Sequence, residues 1–298
     1  MSELLATPHG TMEILNEFGI RAKKKYGQNF LINRGVVDSI VEAAEITKED
    51  CVLEIGPGIG TMTQLLSEAA GHVVAVEIDT GLEKVLDKTL EDCGNVTVLF
   101  QDILKTDLKA IAEEYNQGRP LKCVANLPYY ITTPILLQLF QEAAFFESIT
   151  IMVQKEVADR MMATEEDKEY GALSLAVRYY SEPELTCIVS PGSFIPRPGV
   201  DSAVLRLVIR QEPLVEADES FLFAVIRASF NQRRKTLANA VSHGLSEKEG
   251  TVSREEVQEA LRKMGLSETV RGEKLSLEQF AQLSGYLKEE MKTKEKDA

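Results

Sequence analysis

Short runs of β-branched and other apolar residues alternate with helical patterns between about residues 50 and 210. The runs fit buried strands, and most segments between them carry apolar residues at spacings of three and four. Strands that alternate with helices form a mainly parallel sheet covered by helices on both faces. The sequence therefore predicts an α/β fold with a Rossmann-like sheet, whose last two strands form an antiparallel pair at one edge. The predicted strands are Cys51–Ile55, Val73–Ile78, Val96–Phe100, Leu121–Ala125, Ile149–Val153, Leu185–Val189 and Ala203–Ile209.

The pattern changes at residues 211–220, which are polar and suit a linker, and no later segment has strand character. Ser253 and Ser276 are each followed three residues later by Glu or Gln, a spacing that predicts the first turn of a helix. We therefore predict a small all-helical C-terminal domain. The predicted domains are a catalytic domain over residues 1–212, including an N-terminal extension over 1–20 to which we assign no role, and a helical domain over 213–298.

Composition restricts the class of protein. The net charge is −14, from 33 basic and 47 acidic residues, which disfavours indiscriminate binding to nucleic acid. The four cysteines form no C-x-x-C pair and the three histidines are isolated, so we predict no metal site and reduced thiols. No apolar run approaches the roughly 18–20 residues of a membrane span. We expect a cytoplasmic protein without membrane association, and a monomer.

The first predicted strand runs into a glycine-rich loop, Glu54–Gly60, before a helix. Glycines let the backbone turn tightly and approach a ligand, although such a loop alone is equally compatible with a turn that binds nothing. The second strand ends at Glu77, where a carboxylate can accept hydrogen bonds from ribose hydroxyls, and the third strand is followed by Asp102, another carboxylate at the same edge of the sheet. The third glycine comes too early for a dinucleotide loop, and Glu54 suits a cationic ligand. We therefore predict S-adenosylmethionine (SAM) as the cofactor.

Asn126-Leu127-Pro128-Tyr129 follows the fourth predicted strand. In a sheet of order 3-2-1-4-5 this tetrapeptide faces the glycine loop across the crevice at the switch point. The Asn126 side-chain oxygen and the Leu127 carbonyl can accept both N–H bonds of an adenine amine, while Pro128 stiffens the turn. Tyr129 offers a ring for base stacking. These four candidate catalytic residues predict methylation of an unpaired or flipped adenine.

Six motifs along the chain are Tyr26–Leu31, Glu54–Gly60, Asn126–Tyr129, Gln154–Val157, Phe194–Ser202 and Gln232–Leu237. Together they resemble the ribosomal-RNA adenine N6,N6-dimethyltransferases over nearly the whole chain after residue 20. Within that family the chain is most similar to the branch linked to kasugamycin sensitivity, which acts on small-subunit (16S) rRNA. The resemblance implies that two adjacent adenosines in the 3′-terminal hairpin are each methylated twice, in the small ribosomal subunit or its precursor.

The resemblance also implies which residues form the site. It implies that Tyr129 and Phe194 flank the target adenine. To the cofactor contacts that it implies, we add Gly58 from the glycine loop. The predicted cofactor-binding residues are Asn29, Leu31, Gly56, Gly58, Glu77, Asp102 and Asn126.

Two basic segments interrupt this acidic chain, because residues 21–35 and 221–240 contain no acid. A solvated surface is the simpler interpretation of either segment alone. If the N-terminal segment and the helical domain flank the crevice, these cations can dock RNA phosphates. The predicted RNA-binding residues are Lys23, Lys24, Lys25, Arg227, Arg233, Arg234 and Lys235.

Four alternatives stay open at this point. The first is a large-subunit rRNA adenine methyltransferase that confers antibiotic resistance, and the second is a DNA adenine methyltransferase, although no segment resembles a DNA-recognition module. The third is a non-catalytic ribosome-assembly or RNA-binding factor on the same fold. The fourth, an NAD-dependent oxidoreductase, lacks any hydride-handling site in the sequence.

Overall fold

A computed structural model describes residues 5–245 and 250–297, without the side chains of Lys24 and of residues 295–297. In this part of the chain, a seven-stranded sheet and a two-stranded sheet are joined by helices, which confirms the predicted α/β fold. The strands are β1 (Phe30–Leu31), β2 (Cys51–Ile55), β3 (His72–Glu77), β4 (Val96–Phe100), β5 (Leu121–Asn126), β6 (Phe146–Gln154), β7 (Ser181–Val189), β8 (Phe194–Ile195) and β9 (Ser202–Ile209).

Helices precede the first strand, connect the parallel strands and make up the C-terminal part. None of the described helices is both long enough and apolar enough to cross a membrane. The α-helices are α1 (Pro8–Glu17), α2 (Arg34–Ala43), α3 (Thr61–Ala69), α4 (Glu83–Thr89), α5 (Leu108–Asn116), α6 (Thr132–Gln141), α7 (Lys155–Met162), α8 (Ala172–Tyr180), α9 (Glu219–Asn231), α10 (Leu237–Gly244), α11 (Arg254–Lys263) and α12 (Leu277–Asp297).

The large sheet has the order β4-β3-β2-β5-β6-β9-β7. The strands from β4 to β6 are parallel, and β9 runs antiparallel to both β6 and β7. The direction of the strand order reverses between β2 and β5, so their carboxyl ends form the switch point at which α/β sheets bind ligands. The seven predicted strands all exist. Strand β7 begins four residues before its prediction, because an edge strand tolerates the exposed Glu182 and the proline at position 183.

The N-terminal extension is part of the core that covers the sheet. Leu5 and Leu15 are buried and belong to one apolar cluster with Phe30 and Ile59. The backbone N–H of Gly10 donates to the Thr7 hydroxyl at 3.1 Å and caps α1. The segment for which the sequence offered no role thus stabilises the fold.

Contacts divide the chain into two compact units. The sheet unit contains residues up to 158 and residues 181–211, and the helical unit contains residues 159–180 and those from 212 onward. The single boundary predicted at 212 differs from this division, because Tyr170 and Tyr179 are buried in the helical core beside Phe221. The Tyr170 hydroxyl also donates to the Leu275 carbonyl at 2.9 Å.

The helical unit contains both predicted helix starts. The Ser253 hydroxyl accepts from Glu256 N at 3.2 Å, and the Glu256 carboxylate accepts from Ser253 N at 2.7 Å, which closes a capping box. Ser276 and Gln279 exchange the equivalent pair of hydrogen bonds at 3.0 and 3.3 Å. Both starts are therefore confirmed.

Candidate active site

A cleft opens at the carboxyl ends of β2, β3, β4 and β5, entirely within the sheet unit. Its volume is about 850 Å³ when the open space at its mouth is included. This size lies within the range of small-molecule sites. We call it the cofactor cleft, defined by the glycine loop after β2, the turns after β3 and β4, residues 126–131 and the segment 26–30.

The glycine loop forms the floor of the cofactor cleft in a conformation that side chains rarely adopt. The φ angles of Gly56, Gly58 and Gly60 are +72°, +59° and +89°. A Cβ atom at Gly56 would meet no atom within 4 Å, and one at Gly58 would lie 3.5 Å from the Phe30 ring. The loop therefore exposes bare backbone to a ligand over Gly56, as the close approach of a cofactor requires.

Glu77 ends β3 with both carboxylate oxygens already held. One oxygen accepts from Asp79 N at 2.8 Å and the other from Gly58 N at 3.2 Å. Burial raises the pKa of the Glu77 carboxyl, and these two backbone donors oppose the rise. An oxygen that takes one N–H bond keeps a free lone pair, so the carboxylate remains able to accept from a hydroxyl group.

Apolar side chains follow both strand-end acids. Ile78 comes directly after Glu77 and is 43% exposed, and Ile103 comes directly after Asp102. The Asp102 carboxylate accepts from Leu104 N at 3.0 Å, so the turn after β4 is fixed. Carboxylates for ribose hydroxyls beside apolar walls for a purine fit the adenosine half of SAM. The sequence prediction missed both isoleucines, although their place after the acids was a usable signal.

Asn126 ends β5 and lines the cleft opposite the glycine loop. Its amide nitrogen donates to the Asn29 carbonyl at 3.4 Å, which directs the amide toward the segment 26–30. The backbone N–H of Leu127 donates to Met152 on β6 at 3.0 Å, and the Pro128 carbonyl accepts from Ile131 N at 3.1 Å. The tetrapeptide is therefore anchored on both sides before any ligand binds.

Tyr129 contributes one wall of the cleft and is half-buried. Its hydroxyl lies 2.7 Å from the hydroxyl of Ser202, the buried first residue of β9. Burial raises the pKa of the Tyr129 hydroxyl, which keeps the phenol neutral at physiological pH. Tyr130 is 56% exposed at the cleft and was missed by the sequence prediction.

Two predicted site residues lie outside the walls of this cleft. Leu31 and Phe194 pair with each other across β1 and β8, and they are 5% and 1% exposed. Both side chains pack in one apolar cluster with Val37 and Met152. In this structure Phe194 belongs to the apolar core, and it does not line the cleft.

Glu54, which the sequence placed against a cationic ligand, is completely buried. Its carboxylate oxygens have no hydrogen-bond partner among the described residues, and it does not line the cleft. Burial, with a smaller contribution from the charge of Glu77, raises the pKa of Glu54 to about 8. Because this carboxyl group is completely buried and does not line the cleft, it does not reach a ligand there, so the prediction that Glu54 meets a cationic ligand was wrong.

The predicted RNA-binding cations differ in their contacts and in their exposure. The Lys23 ammonium lies 2.7 Å from Asp79, and the Arg233 guanidinium donates to the carbonyls of Lys168 and Tyr170 at 3.1 Å. Both cations thus hold the fold together. The side chain of Lys24 lies outside the described residues. The remaining predicted cations are all exposed, namely Lys25, Arg227, Arg234 and Lys235.

Comparisons with known proteins agree with this geometry. A relative from Lachnoclostridium phytofermentans, named "Ribosomal RNA small subunit methyltransferase A", is 52% identical over 97% of this chain and 99% of its own length. A protein of the same name from Bacillus pumilus is 46% identical over 96% of this chain and 98% of its own length.

Two solved structures are also similar over most of this chain. A dimethyladenosine transferase from Plasmodium falciparum is 28% identical with a TM-score of 0.71, covering 85% of this chain and 95% of that one. The 23S rRNA methyltransferase ErmE is 28% identical with a TM-score of 0.65, covering 87% and 100%. The profile of the family described as "Ribosomal RNA adenine dimethylase" matches residues 19–289. The chain therefore belongs to this family of SAM-dependent methyltransferases.

Proposed function

We propose that this enzyme transfers methyl groups from SAM to N6 of two adjacent adenosines in the 3′-terminal hairpin of 16S rRNA. The observation that carries the proposal is the placement of Asn126 and Tyr129 in one cleft with the glycine loop. A donor site and an acceptor site for the methyl group thus share a single cavity. The agreement of the relatives, at 46–52% identity to proteins named for the small subunit, supports this choice of RNA.

The residues of the cleft divide the work. Glu77 and Asp102 bind ribose hydroxyls, while Ile78 and Ile103 enclose the purine of the cofactor. Asn126 and the Leu127 carbonyl accept the N–H bonds of the target amine, which turns its lone pair toward the methyl group. Tyr129 stacks on the base, an interaction worth about 1–3 kcal/mol in single-strand binders. Bound SAM supplies the electrophilic methyl group.

The proposed partner is 16S rRNA within the small ribosomal subunit or its precursor. Exposed Arg234 and Lys235 of the helical unit and Lys25 of the sheet unit contact its phosphates, while the acidic remainder of the surface rejects wrong placements. The proposal places the enzyme in the cytoplasm, where small subunits assemble, as a monomer without a metal ion. A second role as an assembly factor is compatible with the same surface.

The deciding experiment incubates the protein with radiolabelled SAM and unmethylated small subunits, followed by nucleoside analysis. We expect N6,N6-dimethyladenosine with the wild type and with Asn16→Ala, which changes an exposed asparagine on α1. Asn126→Ala should form at least about a hundredfold less, the usual cost of one lost transition-state acceptor. Label on large subunits instead would favour the antibiotic-resistance alternative, and wild-type protein without transfer to either subunit would refute the proposal.

A further inference from the structure

The segment 23–30 of the sheet unit borders the cofactor cleft, and Gln28 and Asn29 line it. The sequence prediction named only Asn29 and Leu31 from this region as cofactor contacts. The segment has little regular structure of its own, because it contains one 3₁₀ turn and the two-residue strand β1. Its position therefore depends on contacts with the rest of the sheet unit, and two of its side chains, Lys23 and Gln28, meet at one carboxylate.

That carboxylate belongs to Asp79, in the turn after β3. Its Oδ1 accepts from Lys23 Nζ at 2.7 Å, and its Oδ2 accepts from Gln28 Nε2 at 3.0 Å. Gln28 also accepts from Lys23 N at 2.9 Å through its side-chain oxygen, which closes a ring of three hydrogen bonds. Gly81 N is the third donor to the Asp79 carboxylate, at 3.1 Å. The Asp79 side chain is 5% exposed and that of Lys23 is 41% exposed, so water screens this ion pair only from the lysine side.

The same turn carries the cofactor carboxylate. Asp79 donates its backbone N–H to Glu77 at 2.8 Å, and Glu77 in turn accepts from Gly58 in the glycine loop. A continuous chain of hydrogen bonds thus runs from the segment 23–30 through Asp79 and Glu77 to the glycine loop at the floor of the cleft. Glu77 and Gln28 both line the cofactor cleft, so a displacement of the segment changes the lining of the cleft.

We propose that Asp79 is a positioning residue that fixes the segment 23–30 beside the cofactor cleft. The affinity for SAM then depends on the bonds of Asp79 to Lys23 and Gln28. The identity of the ligand rests on the proposed function. In this role Lys23 is an anchor of the cleft and does not dock RNA. The anchoring itself is a property of the ligand-free protein and can be measured without SAM.

The test uses full-length Asp79→Asn, which keeps the size of the side chain and removes its charge. We expect the Kd for SAM, measured by calorimetry, to rise about tenfold, as for the loss of a hydrogen bond to a charged group. The KM for SAM should rise in parallel, and kcat at saturating SAM should change less than KM. Chymotrypsin should also cut the ligand-free variant faster after Tyr26.

Two further variants make the result specific. Asp38→Asn removes the exposed ion pair between Arg34 and Asp38, which also spans 2.7 Å in the sheet unit, and it should leave both the Kd and cleavage at Tyr26 unchanged. Lys23→Met removes the other partner of the Lys23–Asp79 ion pair. If Asp79→Asn lowers the melting temperature, Lys23→Met is used to test the proposal instead. Because the two residues act through one bond, the double variant should bind SAM no more weakly than Asp79→Asn.

The proposal is overturned if Asp79→Asn and Lys23→Met keep the Kd within twofold and the cleavage rate unchanged. It is also overturned if Asp38→Asn weakens SAM binding as much as Asp79→Asn. A wild-type protein that does not bind SAM would contradict the proposed function. In that case the difference in cleavage at Tyr26 between wild type and Asp79→Asn still decides the anchoring.

Discussion

Tyr129 and Ser202 show how a single hydrogen bond completes the site. They are 73 residues apart in the chain and meet at 2.7 Å because β5 and β9 flank β6 in the sheet. Because Ser202 is buried, its hydroxyl fixes the position of the Tyr129 hydroxyl at the end of the ring. The sequence motif of each residue was visible, but their contact requires knowledge of the strand order.

We predict that Ser202→Ala and Tyr129→Phe each lower kcat/KM for small subunits about fivefold, the loss of roughly 1 kcal/mol from one hydrogen bond. Because both variants remove the same hydrogen bond, kcat/KM of the double variant should be no lower than that of the less active single variant. Methyl-transfer kinetics check this, with the Kd for SAM as the internal control. Effects that multiply in the double variant would show that the bond does not position the ring.

Glu54 makes stability depend on pH. Its pKa of about 8 in the folded protein lies above the ordinary value of 4.5, so the folded state binds the proton more tightly than the unfolded state. Stability due to this group is therefore complete below about pH 4.5 and is lost progressively as the pH rises to about 8.

We predict that Glu54→Gln removes this loss of stability at high pH. Each pKa unit corresponds to about 1.4 kcal/mol, so the variant should exceed the wild type by a few kcal/mol at pH 9 and by little near pH 5. Urea unfolding between pH 5 and pH 9 measures the difference. Glu68→Gln, which changes an exposed acid on α3, should keep the wild-type slope. An unchanged slope in Glu54→Gln would contradict the assigned pKa.

At the scale of elements, the loop between α9 and α10 contains cations of two kinds. One binds carbonyl groups of its own unit, and the others are exposed to solvent. Arg233 bonds two backbone carbonyls of the helical unit and lies 3.7 Å from Glu273. Arg234 and Lys235 are exposed beside it. The sequence grouped all three as an RNA-binding patch, because a run of cations does not reveal which of them meets a carbonyl group of its own chain.

We predict that Arg234→Gln combined with Lys235→Gln weakens binding to small subunits about tenfold at low salt. The slope of log K against log salt should also fall by up to about two, one for each lost phosphate contact. Filter-binding titrations over a range of salt concentrations measure both quantities. Arg254→Gln with Lys292→Gln makes the same charge change elsewhere in the helical unit and should alter neither. An unchanged slope in the first variant would exclude this loop from the interface.

At the scale of the whole molecule, the features that could be predicted are those that depend on residues close together in the sequence. Every strand of the large sheet, the switch point and the capped helix starts follow from periodicity and spacing over a few residues. The cleft residues Gly56, Gly58, Glu77, Asp102 and Asn126–Tyr129 also follow, because strand ends in a parallel sheet meet at one edge. The burial of Glu54, the ring formed by Lys23, Gln28 and Asp79, and the division at 159–180 arise from tertiary packing. No local pattern encodes them.

The division of the chain also constrains how the protein is made. Residues 159–180 belong to the helical unit, but the remaining residues of its core follow position 211, and the buried ones begin at Phe221. At a synthesis rate of about 5–20 residues per second, the nascent helix α8 waits roughly 2–8 seconds for those partners to leave the ribosome. During that interval Leu175 and Tyr179 lack most of the apolar residues that cover them in the folded unit. An enzyme of the ribosomal RNA adenine dimethylase family thus exposes part of its future core while still attached to a ribosome.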